Sequence, residues 1–312
     1  MLRRKLAALL LLPLAAAALG GCGNGEEAHV AGKVNVVTTF YPLYFLAEAI
    51  GGDDAHVVDL IPAGVEPHDW TPKSRDLQAV SKAELFVYNG AGLEGWVDDF
   101  LKGIGNGPKT VEASQGIELL TGNPEADEDA AKAGAADDRG VDPHTWVSPK
   151  SMMRMASNVH DAFVAADPAH KADYDGRYGE LIGKLQALDQ AYAEGLAHVA
   201  RREIVVSHQA FGYLCRDYGL KQVPIMGLSP DAEPRAQDLL GIADFVKESG
   251  ARTIFFEELV SDRLAKTLAA EAGVGTDVLN PVEGLTPAEQ QAGDDYFSIM
   301  ERNLQKLEKA LQ

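Results

Sequence analysis

The chain has 312 residues, 46% of them hydrophobic, with 47 acidic against 28 basic residues and a net charge of −19 at pH 7. That balance excludes nucleic acid as a partner and any electrostatic hold on an anionic lipid surface, whereas a cation would be attracted. Two cysteines exclude a disulfide scaffold, so stability must come from a buried core, and the length suits two lobes better than one small domain.

Residues 1–21 read as an export signal: Arg3, Arg4 and Lys5 precede an apolar run from Leu6 to Leu19 that is short for a bilayer span. The run ends in Leu19-Gly20-Gly21-Cys22, which resembles the bacterial lipobox, so Cys22 is the expected lipidation site. Residues 22–32 are then a polar tether that holds an extracytoplasmic body near the membrane. Lipid, and not charge, would be the anchor to the bilayer.

Beyond the tether, short β-rich runs alternate with helical patterns. The runs are Val34 to Thr39, His56 to Ile61, Glu84 to Asn89, Ile204 to Ser207, Val223 to Gly227, Thr253 to Glu257 and Asp277 to Asn280. Strands separated by helices imply an α/β fold, with a parallel sheet covered on both faces by helices in each of two lobes. An amino-terminal lobe over 33–166 and a carboxyl-terminal lobe over 203–312 are expected, joined by one long linking helix over 167–202. Pro168 suits that helix's first turn, and its length would be roughly 50 Å. Gly176, Gly179, Gly183 and Gly195 weaken it and make a break in it conceivable. Within the first lobe, residues 123–140 are acidic, rich in alanine and glycine and without apolar periodicity, a solvated loop.

The chemistry lies in a pattern that occurs twice, Glu66-Pro67-His68-Asp69-Trp70 and Asp142-Pro143-His144-Thr145-Trp146, and uses two of three tryptophans. A histidine between a rigid proline and a large aromatic has few rotamers, which suits a preorganised ligand. Thr71-Pro72 and Ser148-Pro149 each read as a helix start, so both imidazoles belong on strand-to-helix loops, where open parallel sheets bind ligands. His208, in Ser207-His208-Gln209-Ala210-Phe211-Gly212-Tyr213, follows an apolar strand directly, and Glu283 holds the equivalent place in Leu279-Asn280-Pro281-Val282-Glu283-Gly284-Leu285-Thr286. Three neutral imidazoles and one carboxylate make a four-coordinate site of the kind Zn2+ accepts, at roughly 2.0 to 2.2 Å per bond. His29, His56, His160, His170 and His198 fall where a surface or satisfied imidazole is the default, and Cys215 reads as a buried structural thiol.

These segments, together with Thr38-Thr39-Phe40-Tyr41-Pro42, resemble the metal-binding receptor lipoproteins of zinc and manganese ABC importers over nearly the whole chain after Cys22. The resemblance implies a monomeric receptor that captures an ion between two lobes, docks on a membrane permease and releases the ion when small lobe movements part the ligand pairs. No bond is made or broken, so no enzyme is expected. Histidine at the third ligand position, His208, resembles the zinc receptors; manganese receptors place glutamate there, and Mn2+ is the alternative cargo. In some relatives water or an acid beside the first histidine fills the fourth position, which makes Glu66 a rival to Glu283. Residues 123–140 lack the histidines many zinc receptors carry in that loop, which leaves loop-assisted loading without support. Two readings from other classes are a zinc-dependent hydrolase with Glu66 or Asp142 as base, and a surface adhesin whose metal is structural.

Overall fold

The structure is a computed structural model that describes residues 29–105, 107–121, 140–230 and 236–312. The expected signal peptide, Cys22, residues 22–28 of the tether and residues 123–139 of the acidic loop lie outside the described residues. Among the described residues, no helix is long and apolar enough to cross a membrane.

Val34-Asn35-Val36-Val37-Thr38 is dominated by β-branched residues and forms β1 (Val34–Thr38), buried along its whole length. It pairs in parallel with β2 (Ala55–Asp59) and β3 (Leu85–Tyr88), and β4 (Lys109–Glu112) completes the order β2-β1-β3-β4. The second sheet repeats that plan: β5 (Glu203–Val206), β6 (Lys221–Pro224), β7 (Thr253–Phe256) and β8 (Gly275–Val278), all parallel, in the order β6-β5-β7-β8. Each sheet therefore reverses its winding between its first and third strands, and the crevice outside the carboxyl ends there is the natural binding place. β4 is the strand the apolar runs do not foretell. Its Lys109-Thr110-Val111-Glu112 lies at a sheet edge and buries Val111 alone.

Helices α1 (Tyr41–Gly51), α2 (Ser74–Ser81), α3 (Val97–Lys102) and α4 (Pro149–Ala166) accompany the first sheet. Helices α6 (Gly212–Tyr218), α7 (Ala236–Ser249), α8 (Arg263–Ala272), α9 (Pro287–Ala292) and α10 (Tyr296–Leu311) accompany the second. Between the groups runs α5 (Lys171–Gly195), 25 residues and about 37 Å long. It is shorter than the helix expected over 167–202: a 3-10 turn at Pro168–His170, capped by the Asp167 side chain, precedes it. Of the four glycines, Gly176, Gly179 and Gly183 do not break it, but it ends at Gly195. Tyr174, Leu181, Leu185, Leu188 and Tyr192 recur at helical spacing and bury one face, while a Cβ at Gly176, Gly179 or Gly183 would meet nothing within 4 Å.

Alternation along the strands sends Val36 and Val37 to opposite faces, so each sheet has an inner and an outer core. The outer clusters centre on Val37 and Phe86 in one lobe and on Val205 and Ile254 in the other. The inner core is common to both lobes: Val36, Trp146 and Phe163 belong to the same buried cluster as Tyr192, Phe255 and Leu307. Lobes that share a core can move against each other only slightly, because close-packed side chains tolerate small shifts and not separation.

Candidate metal centre

The two copies of the acid-Pro-His-x-Trp pattern are held very differently. In the second, one oxygen of Asp142 accepts hydrogen bonds from the backbone N–H of His144 (3.0 Å) and from its ring Nδ1 (2.8 Å). The Asn89 amide donates to the Pro143 carbonyl (2.9 Å), and the Tyr213 hydroxyl, from the other lobe, donates to the Asp142 carbonyl (2.7 Å). Trp146 Nε1 donates to the Pro281 carbonyl (2.8 Å), and the Tyr296 hydroxyl donates to the Trp146 carbonyl (2.8 Å). Ser148 Oγ reaches Asp217. His144 and Trp146 are consequently inaccessible to solvent.

The first copy is held more lightly: its acid and its tryptophan find their partners nearby, and it meets the other lobe where His68 Nε2 faces Glu283 (3.4 Å). Glu66 accepts from the backbone N–H of His68 (2.8 Å), and Trp70 packs edge-on against Trp96 at 5.4 Å. The helix that follows starts at Ser74, two residues after the expected Pro72, because Asp76 reaches back to cap the Lys73 N–H (2.6 Å). His68 keeps 10% of its side chain exposed, the most of the four expected ligands.

His208 lies two residues beyond β5 and fully buried, as its apolar strand implies. Its ring Nδ1 meets Glu257 at 2.7 Å, one residue beyond β7. Sequence reasoning missed Glu257; the only signal was the carboxyl-end position it shares with the other site residues. Glu283 stands five residues beyond β8 on a loop with an unusual bend, since Val282 is β-branched yet has φ +60°. That bend is held by burial of Val282, by the Asn280 side chain accepting from the Val282 N–H (2.7 Å), and by Asn303 gripping the Asn280 backbone on both sides.

The four expected ligands converge. Among the described residues, His68, His144, His208 and Glu283 form the one group of potential donors whose ligand atoms all lie within 4.8 Å of one another; Glu66 and the other histidines are not members. His144 Nε2 is 3.1 Å from His68 Nε2 and 3.2 Å from His208 Nε2. Glu283 Oε1 lies 3.4, 3.3 and 3.4 Å from the same three nitrogens, and it is buried without a hydrogen bond of good geometry. In a tetrahedron with roughly 2.0 Å from centre to vertex, the Zn2+–nitrogen distance, the edge is about 3.3 Å, and these five separations match it.

Charge follows the carboxylates. Burial opposes ionisation of His208, but Glu257 and Glu283 outweigh it and lift its pKa well above the ordinary value. His144 is raised in the same way against its burial, through Asp142 and Glu283, whereas burial dominates at His68 and lowers it. Burial disfavours the Glu283 carboxylate, yet the surrounding imidazoles hold its pKa well below the usual range. A metal ion requires neutral rings, so binding must displace protons from His144 and His208. Affinity for Zn2+ is therefore expected to rise with pH and to keep rising above about 6.5, the ordinary histidine value. Without metal, the two raised groups contribute stability below that pH which is lost as pH climbs through their folded-state values. The zinc-induced rise in Tm should accordingly grow from pH 6 to pH 8. Calorimetric titrations and melts at pH 6, 7 and 8 check this; a flat dissociation constant would remove His144 and His208 from the donor set.

The family profile described as ZnuA, "zinc-uptake complex component A periplasmic", matches residues 36–310. The zinc-binding lipoprotein AdcA of Streptococcus pneumoniae is 42% identical over 302 residues, which is 96% of this chain and 60% of AdcA. The chain thus spans well under two thirds of that relative's length. The high-affinity zinc uptake system protein ZnuA of Bacillus subtilis is 41% identical over 298 residues, covering 94% of this chain and 93% of that protein. The crystal structure of the Zn(II)-bound ZnuA-like domain of S. pneumoniae AdcA superposes with a TM-score of 0.77 at 41% identity, covering 90% of this chain and 99% of that one.

Proposed function

The chain belongs to the family of ZnuA, the periplasmic zinc-uptake component, and from that premise we propose that it is an extracytoplasmic receptor which captures Zn2+ between two lobes for delivery to an ABC importer's permease. The observation that carries this reading is the cage of three ring nitrogens and one carboxylate oxygen, all within 4.8 Å of one another and with five of their six separations at 3.1 to 3.4 Å. Nitrogen donors at tetrahedral spacing suit zinc, whereas Mn2+ favours more oxygen and six-fold geometry. Four protein donors also leave no open position for the water a hydrolase would activate.

In this reading residues 33–166 and 203–312 are the lobes, 167–202 the connection, and His68, His144, His208 and Glu283 the ligands. Cys22 carries lipid that keeps a monomer at the membrane. Because the lobes share a core, ion exchange starts at His68, the most exposed of the four ligands, and lobe movement adds a small displacement.

The test is metal analysis of the purified chain followed by zinc and manganese competition, on the parent and on His208→Glu. One retained zinc per chain that manganese fails to displace is expected, with the preference narrowed in the variant. Preferential manganese in the parent would overturn the reading.

A further inference from the structure

We propose that Glu257 is a specificity-determining positioning residue: by fixing His208 it holds the nitrogen cage at the size of a tetrahedral dication and so widens the preference for zinc over manganese. The proposal rests on the receptor reading above. Its basis is the strand register. β5 and β7 are parallel neighbours with Val206 opposite Phe255, so His208 and Glu257, each two residues further on, come side by side. There the Glu257 Oε1, 3% exposed with its residue, accepts from three groups of one dipeptide: the Ser207 hydroxyl, the His208 backbone N–H at 3.3 Å and the ring Nδ1 at 2.7 Å.

Two consequences follow. A hydrogen on Nδ1 leaves the Nε2 lone pair facing the cage, where it is 3.2 Å from His144 Nε2 and 3.4 Å from Glu283 Oε1. Holding both the backbone and the ring removes the swing by which the imidazole could retreat to admit an ion with more ligands and longer bonds. A carboxylate behind the ring also strengthens it as a donor, which favours the ion that prefers nitrogen. Asp142 does the same for His144, but within its own motif; Glu257 acts across two strands, so it sets where one side of the cage stands relative to the sheet.

The experiment compares the full chain with Glu257→Gln and Glu257→Ala. Dissociation constants for Zn2+ and Mn2+ are measured by chelator competition, the visible absorption of the Co2+ form reports coordination geometry, and metal-free melting reports folding. Zinc affinity should fall about 10-fold in the glutamine variant, which keeps an acceptor oxygen, and about 100-fold in the alanine variant. Manganese affinity should change less than about threefold in both, so the preference narrows, and the intense tetrahedral Co2+ band should weaken in the alanine variant. If the alanine variant fails to fold, the glutamine variant decides. Zinc binding within threefold of the parent in the folded variants would overturn the proposal. So would an equal loss for both metals with an unchanged Co2+ band, the mark of a merely structural residue. A parent that fails to prefer zinc would instead sink the receptor reading itself.

Discussion

Replacing His144 by alanine is expected to cost the chain at least a hundredfold in zinc affinity while leaving the metal-free fold largely intact. His144 is the centre of the cage: its Nε2 is within 3.1 to 3.3 Å of the other three donors. A four-ligand zinc site is worth roughly 10 to 16 kcal/mol, so an average ligand accounts for about 3 kcal/mol, and each 1.4 kcal/mol is tenfold in affinity. The lost ring leaves the Asp142 carboxylate accepting from the backbone N–H of residue 144 and the Asp142 carbonyl accepting from the Tyr213 hydroxyl, which hold the loop. Titration with zinc against a competing chelator measures the loss, and the circular dichroism of the metal-free variant tests the fold. Affinity within tenfold of the parent would mean that the four donors do not act as one site.

The second large effect belongs to stability. Trp146→Ala removes a fully buried indole that packs edge-on against Phe40 at 4.7 Å and donates across the cleft to the Pro281 carbonyl at 2.8 Å. Truncating a buried tryptophan costs about 3 to 5 kcal/mol, and the abandoned carbonyl adds roughly 1 to 3 kcal/mol. A fall in Tm on the order of 10 °C or more is expected for a protein of this size. Trp70, the matching residue of the other copy, is half-buried and packs on Trp96 within one lobe, so Trp70→Ala should lower Tm far less. Thermal melts of both variants decide it; equal losses would contradict the unequal roles of the two copies.

That inequality is what the sequence could not convey. Glu66-Pro67-His68-Asp69-Trp70 and Asp142-Pro143-His144-Thr145-Trp146 look alike, and the sequence reading that groups both histidines with His208 and Glu283 matches the convergence of the four side chains. Only the structure separates an acid that accepts from the His68 backbone from one that also accepts from the His144 ring. Glu257 was invisible for a related reason: Thr253 to Phe256 announces a buried strand, but which side chain lies beside the residue after it depends on the pairing with β5. That both sheets are parallel followed from alternating strands and helices; their strand order did not. Strand β4 did not, since an edge strand with one buried residue has no apolar run. A long helix lies within the expected 167–202 but is shorter at both ends: at its start no signal in the sequence distinguishes the 3-10 turn at Pro168–His170 from the helix itself, and at its end it stops at Gly195, one of the glycines that weakened it.

The cage also has a kinetic meaning. Its donors all come from the chain, and three of the four ligand side chains are 0 to 2% exposed, so an ion inside would have shed its hydration shell. Water then cannot replace the donors one by one from the bulk. Departure has to wait for a protein donor to withdraw first, so the residence time of the ion is set by the rate of a local opening and not by ligand exchange at the metal. A docking partner that shifts the His68 loop would therefore act on the rate of release at least as much as on the equilibrium.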